Sequence, residues 1–313
     1  MRKLILSMFL FLLMPFTAWS SDFPVRDVVY QITFSPGGGS DIRARHQQPM
    51  LEELLGVKIQ IQYKPGGGGS IGWANLMTQE ADGYFMTGIN VPHIVLQPLA
   101  RENAGYQTEG ILPVVLFQHI PFGLTVREDS PFQSLEELVD YAKENPGAVT
   151  VGGSGTWDAT HIAHLQFEKM AGVKLTYVPH KGGKPKQASL LGGHTMASWF
   201  GVSEWLPHGD KVRNLAVGTA EPVSTNPDLP TFESKGYPLY SAVYHGVGVP
   251  AGTPADIVAT LEAAFLEIAN KPEVHELKLK SGILPLAMGS KEAQELIDNR
   301  KEAWAPIVAE FAN

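Results

Sequence analysis

The sequence predicts an α/β fold in two lobes, each a mainly parallel sheet flanked by helices. Strand-like and helix-like runs alternate through most of the chain, as they do when parallel strands are joined by helices on the faces of a sheet. Gly-rich turns separate each strand from the helix after it. The chain has 313 residues, 44% of them hydrophobic, which exceeds the size at which one core keeps growing and favours two. It has no cysteine, so the core and not disulfides must hold it together.

The elements follow in order. Residues 28–34 read as a strand, 35–40 as a Ser-Pro-Gly-Gly-Gly-Ser turn, and 41–55 as a helix closed by Gly56. Residues 57–63 repeat the strand, 65–70 the Gly-rich turn and 71–77 the helix start. A third unit has a strand at 148–152, a turn at 153–156 and a helix at 158–170. A fourth has a strand at 175–178, a turn at 179–183 and a helix at 185–191. Apolar runs at 196–200, 214–217 and 242–249 add strands. Helices are expected to start near Thr253-Pro254, Lys271-Pro272 and Ser290, where Glu292 suits a first turn. The expected division is a first lobe of residues 21–118 and 241–313 and a second of 119–240, with crossings near 117–123 and 237–244.

Residues 1–20 read as a secretory signal peptide: Arg2 and Lys3 precede an apolar run from Leu4 to Phe16, followed by the small residues of Ala18-Trp19-Ser20. The run is too short to span a bilayer as a helix. Export to the periplasm and a monomer are expected. The net charge of −8 becomes −10 without Arg2 and Lys3, 22 basic against 32 acidic residues. That balance argues against nucleic acid as a partner.

Turns after parallel strands lie at the carboxyl edge of the sheet, where open α/β folds place ligands. Two of them, at 35–40 and 65–70, can present several backbone N–H groups, with a helix dipole behind each. Glycine allows close approach and the positive φ angles that turn successive N–H groups inward. This suits an anion without requiring a buried Lys or Arg. Ser40 and Ser70 can either cap their helices or touch a ligand, and Asp41 reads as a first-turn stabiliser or loop brace. Asp158 reads as an N-cap or as a negative group facing the ligand. Trp157 is a possible ligand wall.

The ordered motifs give a sharper reading. Phe34-Ser35-Pro36-Gly37-Gly38-Gly39-Ser40-Asp41 with Ala44-Arg45, Lys64-Pro65-Gly66-Gly67-Gly68-Gly69-Ser70-Ile71-Gly72 and Ala81-Asp82-Gly83-Tyr84 come first. Gly153-Ser154-Gly155-Thr156, Val178-Pro179-His180-Lys181-Gly182-Gly183, Leu190-Leu191-Gly192-Gly193-His194 and Gly201-Val202-Ser203-Glu204 follow. In this order they resemble the substrate-binding proteins of tripartite tricarboxylate transporters, the Bug family, over essentially the whole mature chain.

The resemblance implies a two-lobed periplasmic binding protein, type II-like, that captures a small carboxylate between its lobes and delivers it to integral membrane subunits, without cofactor or metal. By position, one carboxylate would be held by the loops carrying Ser35, Gly38, Gly39, Ser40 and Asp41 and Gly67, Gly68, Gly69 and Ser70, with Phe34 covering it. The rest of the ligand would meet Ser154, Gly155, Thr156, His180 and Ser203. His180 stands where the family often has Tyr, and Trp157-Asp158 where it has small polar residues.

Other readings are weighed on the same residues. A hydrolase would use Ser154 with His161 and His164, but a nucleophile elbow needs Gly where Thr156 stands, and the two His are three apart, not four with a Glu between. A nucleotide site would need Gly-Lys-Ser/Thr after a Gly-rich turn, and neither turn has it. A carboxylate receptor for signalling would share the same site.

Overall fold

The computed structural model describes residues 23–37 and 39–311. The export signal read at 1–20, and Gly38, lie outside the described residues. The first part of the chain builds β1 (Val28–Ile32), α1 (Gly39–Leu55), β2 (Ile59–Tyr63), α2 (Ser70–Leu76), β3 (Phe85–Val91) and α3 (His93–Ala100). Next comes one long strand, β4 (Ile111–Arg127), then α4 (Leu135–Glu144), β5 (Thr150–Gly153), α5 (Ala159–Ala171), β6 (Thr176–Pro179), α6 (Gly183–Leu191), β7 (Ala197–Gly201), α7 (Val202–Trp205) and β8 (Val212–Val217). The chain returns through β9 (Ala242–Pro250), α8 (Ala255–Ala269), α9 (Pro272–Lys280), β10 (Leu284–Gly289) and α10 (Ser290–Phe311).

Sheet order is β2-β1-β3-β9-β4-β7-β5-β6, with β10 and β8 also paired to β4. The outer strands pair in parallel: β2-β1-β3 on one side and β7-β5-β6 on the other. Between them β9 and β4 run antiparallel to their neighbours. β4 has 17 residues, a span of about 55 Å. Its first half pairs with β9 and β10, and its last residues pair with β7 and β8. The segment the sequence offered as a crossing, 117–123, is therefore the interior of a strand.

The core divides along β4. Val28, Ile32, Leu51, Phe117, Val247, Leu261 and Phe265 fill one face of the first half-sheet, against α1 and α8. Trp73, Ile89, Ile94, Leu116 and Trp304 fill its other face, against α2, α3 and α10. Leu124, Leu138, Val151, Phe167, Trp199 and Phe232 form a separate cluster around the second half-sheet.

Local chemistry explains the element ends. Ser134 caps α4 by accepting from Glu137 N at 3.2 Å, while Glu137 accepts from Gln133 N at 2.6 Å. Gly172 ends α5 with φ 62°, and Val173 N reaches back to Glu168 O at 3.2 Å. β1 stops at Ile32, two residues before the end the sequence suggested, as the chain turns into Pro36 and Gly37. β3, α3, α4 and β10 were not anticipated. Among the described residues no helix is long and apolar enough to cross a membrane.

Candidate functional site

The carboxyl ends of β1, β2 and β3 bring three turns to one edge of the first half-sheet. In the turn after β1, Asp41 is 5% exposed. Its carboxylate accepts from Gly37 N at 2.7 Å, Tyr63 O–H at 2.7 Å and Arg45 Nε at 2.8 Å. These bonds, the Gly37 N–H foremost, hold its pKa below the usual carboxylate range. Asp41 thus fastens its own loop to the end of β2. Ser35 and Gly39 are exposed, and Phe34 is part-buried, edge-on to Trp73 at 6.4 Å.

After β2, four consecutive glycines, Gly66 to Gly69, have φ between 59° and 135°. A side chain at Gly67 would collide with Ser70 Oγ at 2.1 Å, and one at Gly69 with Trp73 at 2.5 Å. Gly68 meets only Gln97 Nε2, at 3.1 Å, and Gln97 Nε2 also donates to Gly68 O at 3.0 Å. Ser70 N closes the turn on Gly67 O. Among the described residues the Gly67 and Gly68 N–H groups have no protein acceptor. Consecutive unpartnered N–H groups at positive φ are the kind of backbone that can receive an anion.

In the second half-sheet the turns after β5 and β6 are laced together. His180 N donates to Gly153 O and Gly182 N to Ser154 O, both at 2.9 Å. Tyr177 O–H donates to Gly155 O at 2.6 Å. Asp158, 6% exposed, caps α5, accepting from Thr160 N and His161 N at 3.0 Å. Its other oxygen accepts from Ser154 Oγ at 2.7 Å. Burial pushes the Asp158 carboxyl up, but His93 and these donors outweigh it and hold its pKa low. Ser154 is therefore hydrogen-bonded to an acid rather than to a histidine, and His161 Nδ1 accepts from Trp157 N at 3.2 Å. A Ser-His dyad is not assembled.

Trp157 takes φ 58°, the left-handed region, and packs against the Trp73 and Ile94 cluster of the first half. His93, at the start of α3, acts electrostatically on Asp158. Gly282, in the turn after α9, has φ 66°, and a Cβ there would lie 2.9 Å from Ser203 N. The turns of the two halves thus face one another. Thr156 is exposed, while His180 and Ser203 are part-buried.

A buried pair braces the second set of turns. Lys186, with no exposed surface, donates to Glu204 Oε2 at 2.7 Å and Trp199 O at 2.6 Å. Glu204 also accepts from Gly201 N at 2.7 Å, fixing the turn that carries Ser203. The sequence reading missed this pair, and it missed Arg43, Gln97 and His245. Arg43 alone had a signal, lying one turn after Ser40 on the same helix face.

Residues 43–312 match the family described as the tripartite tricarboxylate transporter family receptor. A Cupriavidus necator protein encoded in the gbd 5' region is 28% identical over 89% of this chain and 85% of its own. BugT of Bordetella pertussis is 26% identical over 92% of this chain and 90% of its own. The solved structure of R. palustris Rpa4515 with adipate superposes with a TM-score of 0.81 at 27% identity, covering 93% of this chain and 98% of that one.

Proposed function

This chain belongs to the tripartite tricarboxylate transporter family of receptors, and from that premise we propose that it captures a small organic carboxylate in the periplasm for integral membrane subunits. Residues 21–118 and 241–313 form the first lobe of this reading and 119–240 the second, with the ligand between the turns of both. The observation that carries it is the Gly66–Gly69 turn, which offers two N–H groups free of protein acceptors at positive φ. Charge-assisted hydrogen bonds contribute roughly 1.5–3 kcal/mol each, so a few give micromolar affinity after ordering costs. The loop after β1, held by Asp41, completes the first carboxylate site with Phe34 at its rim. Ser154, Gly155, Thr156, Trp157, Asp158, His180 and Ser203 read the remainder of the ligand.

Adipate in the related R. palustris structure supports the ligand class. A screen of aliphatic carboxylates by thermal shift tests it. A true ligand at 100 times its dissociation constant stabilises by about 2.7 kcal/mol, and amines of matched size leave Tm where it was. Carboxylates and amines acting alike would refute the reading. A receptor serving signalling would bind the same ligands, and transporter genes beside this one would favour transport. The Ser154 bond to Asp158 gives hydrolysis no support.

A further inference from the structure

A cleft apart from the Gly-rich turns runs along the strands that join the two half-sheets. Its floor is His119 of β4, Tyr244 of β9 and Leu284 of β10, paired at one level, and its walls include the segment 218–224 after β8 and Arg300 of α10. It offers about 500 Å³, within the range of small-molecule sites, roughly 300–1,000 Å³. A narrow extension that shares Ser241, Tyr244 and Arg300 with it runs on between Ile162 of α5 and Trp304 of α10. None of the residues read as carboxylate-binding lines either part.

The lining holds polar groups that the protein itself leaves unused. Arg300 is half-buried, and among the described residues no carboxylate pairs with it. Its guanidinium lies 5.7 Å from the centroid of the Trp304 ring, which leaves its N–H donors without an acceptor. Ser241 is 6% exposed and Trp304 5%, yet Ser241 Oγ and Trp304 Nε1 have no hydrogen-bond partner, and neither has His119 Nδ1. An indole N–H and a guanidinium can only donate, so the cleft is suited to an acceptor that carries negative charge. Around these donors the surface is rich in rings. His119 and Tyr244 stack with centroids 5.3 Å apart and planes 17° apart, and Tyr240, Pro121 and Pro222 extend the wall. A flat apolar ring packs well on such a surface. Glu221, exposed in the lining, disfavours a second acid. We propose that this cleft is a second ligand site, for a ring-bearing monoanion such as an aromatic monocarboxylate, held through Arg300 and separate from the site on the glycine turns.

Benzoate is the probe, titrated by calorimetry into wild type, Arg300→Gln and Arg300→Lys, each with and without a saturating carboxylate from the thermal-shift screen. Saturated wild type is expected to take one further equivalent of benzoate. Acetate, which lacks the ring, and benzamide, which lacks the charge, should bind there at least about 10-fold more weakly. Arg300→Gln should weaken benzoate about 10-fold and Arg300→Lys less, both leaving the first carboxylate within about twofold. In nitrogen–proton spectra the Trp304 indole resonance, assigned by its loss in Trp304→Phe, should shift when benzoate is added to saturated wild type. Saturated protein that takes no benzoate, benzamide binding as well as benzoate, an unchanged affinity in Arg300→Gln or an unmoved Trp304 resonance would each overturn the second site. If no carboxylate saturates the glycine turns, the carboxylate reading fails, and the Arg300 dependence of benzoate binding to the ligand-free protein still decides the second site.

Discussion

Asp41 and Asp158 show how a buried acidic residue can brace a Gly-rich turn. Each carboxylate is occupied by donors of its own loop, and each keeps a Gly-rich turn in one shape. Buried histidines have the opposite relation to charge. Burial lowers the pKa of His164 to about 3, with a smaller push from His161, and Glu168 Oε1 lies 3.6 Å from its Nε2. His245, His119 and His161 shift in the same direction, burial being the first cause for each. Unfolded, such groups titrate near 6.5. Between about pH 6.5 and pH 3 the unfolded chain therefore binds protons that the folded one refuses, and stability falls as pH drops through that window. Asp41, with its depressed pKa, adds to acid lability only below about pH 4. Melting curves from pH 8 to pH 4 should be level above pH 7 and decline below 6.5, with a shallower decline in His164→Leu. A level profile throughout would show that these histidines are not buried neutral.

Lys186 and Glu204 tie α6 to the turn between β7 and α7, and Phe122 and Phe200 rings lie 5.3 Å and 5.4 Å from the ammonium. Removing one partner leaves the other charge poorly compensated. Lys186→Met should therefore cost about 3 kcal/mol in urea unfolding, at the low end for a buried pair because Glu204 is partly exposed. A cost below about 0.5 kcal/mol would assign the pair no bracing role. Elements like these divide into those the sequence announces and those it hides. The βα units were legible because Gly-rich turns punctuate an alternating pattern; the helix from Ala159 starts after the capping Asp158, and that from Ser290 where Glu292 accepts from Gly289 N at 3.3 Å. β4 was not anticipated, although it accommodates two prolines, Pro113 at a register shift and Pro121 at the last pairing with β9. The Gly-rich turns of the site were legible by the same logic as the helices. Arg43 and His245 were not, because they meet only after strands distant in sequence pair.

At the scale of the whole molecule, the two half-sheets are joined through β4 and β9, which pair from Ile111 and Pro250 to Pro121 and Ala242. If ligand enters between facing turns, the joining strands must bend to admit it and then close. Scattering at small angles should show a smaller radius of gyration with saturating ligand than without. An unchanged radius would argue for a cleft that is already closed or for a different site. The central claim, carboxylate capture on the glycine turn after β2, is met most directly by calorimetric titration of the best carboxylate from the screen into wild type and Gly68→Val. Gly68 has φ 67°, and a Cβ there meets only the flexible end of Gln97, so the substitution strains the turn, by about 1–2 kcal/mol, without entering the core. Wild type should bind one equivalent with micromolar affinity and Gly68→Val at least about 10-fold more weakly; a folded Gly68→Val protein that binds within twofold of wild type would contradict the account.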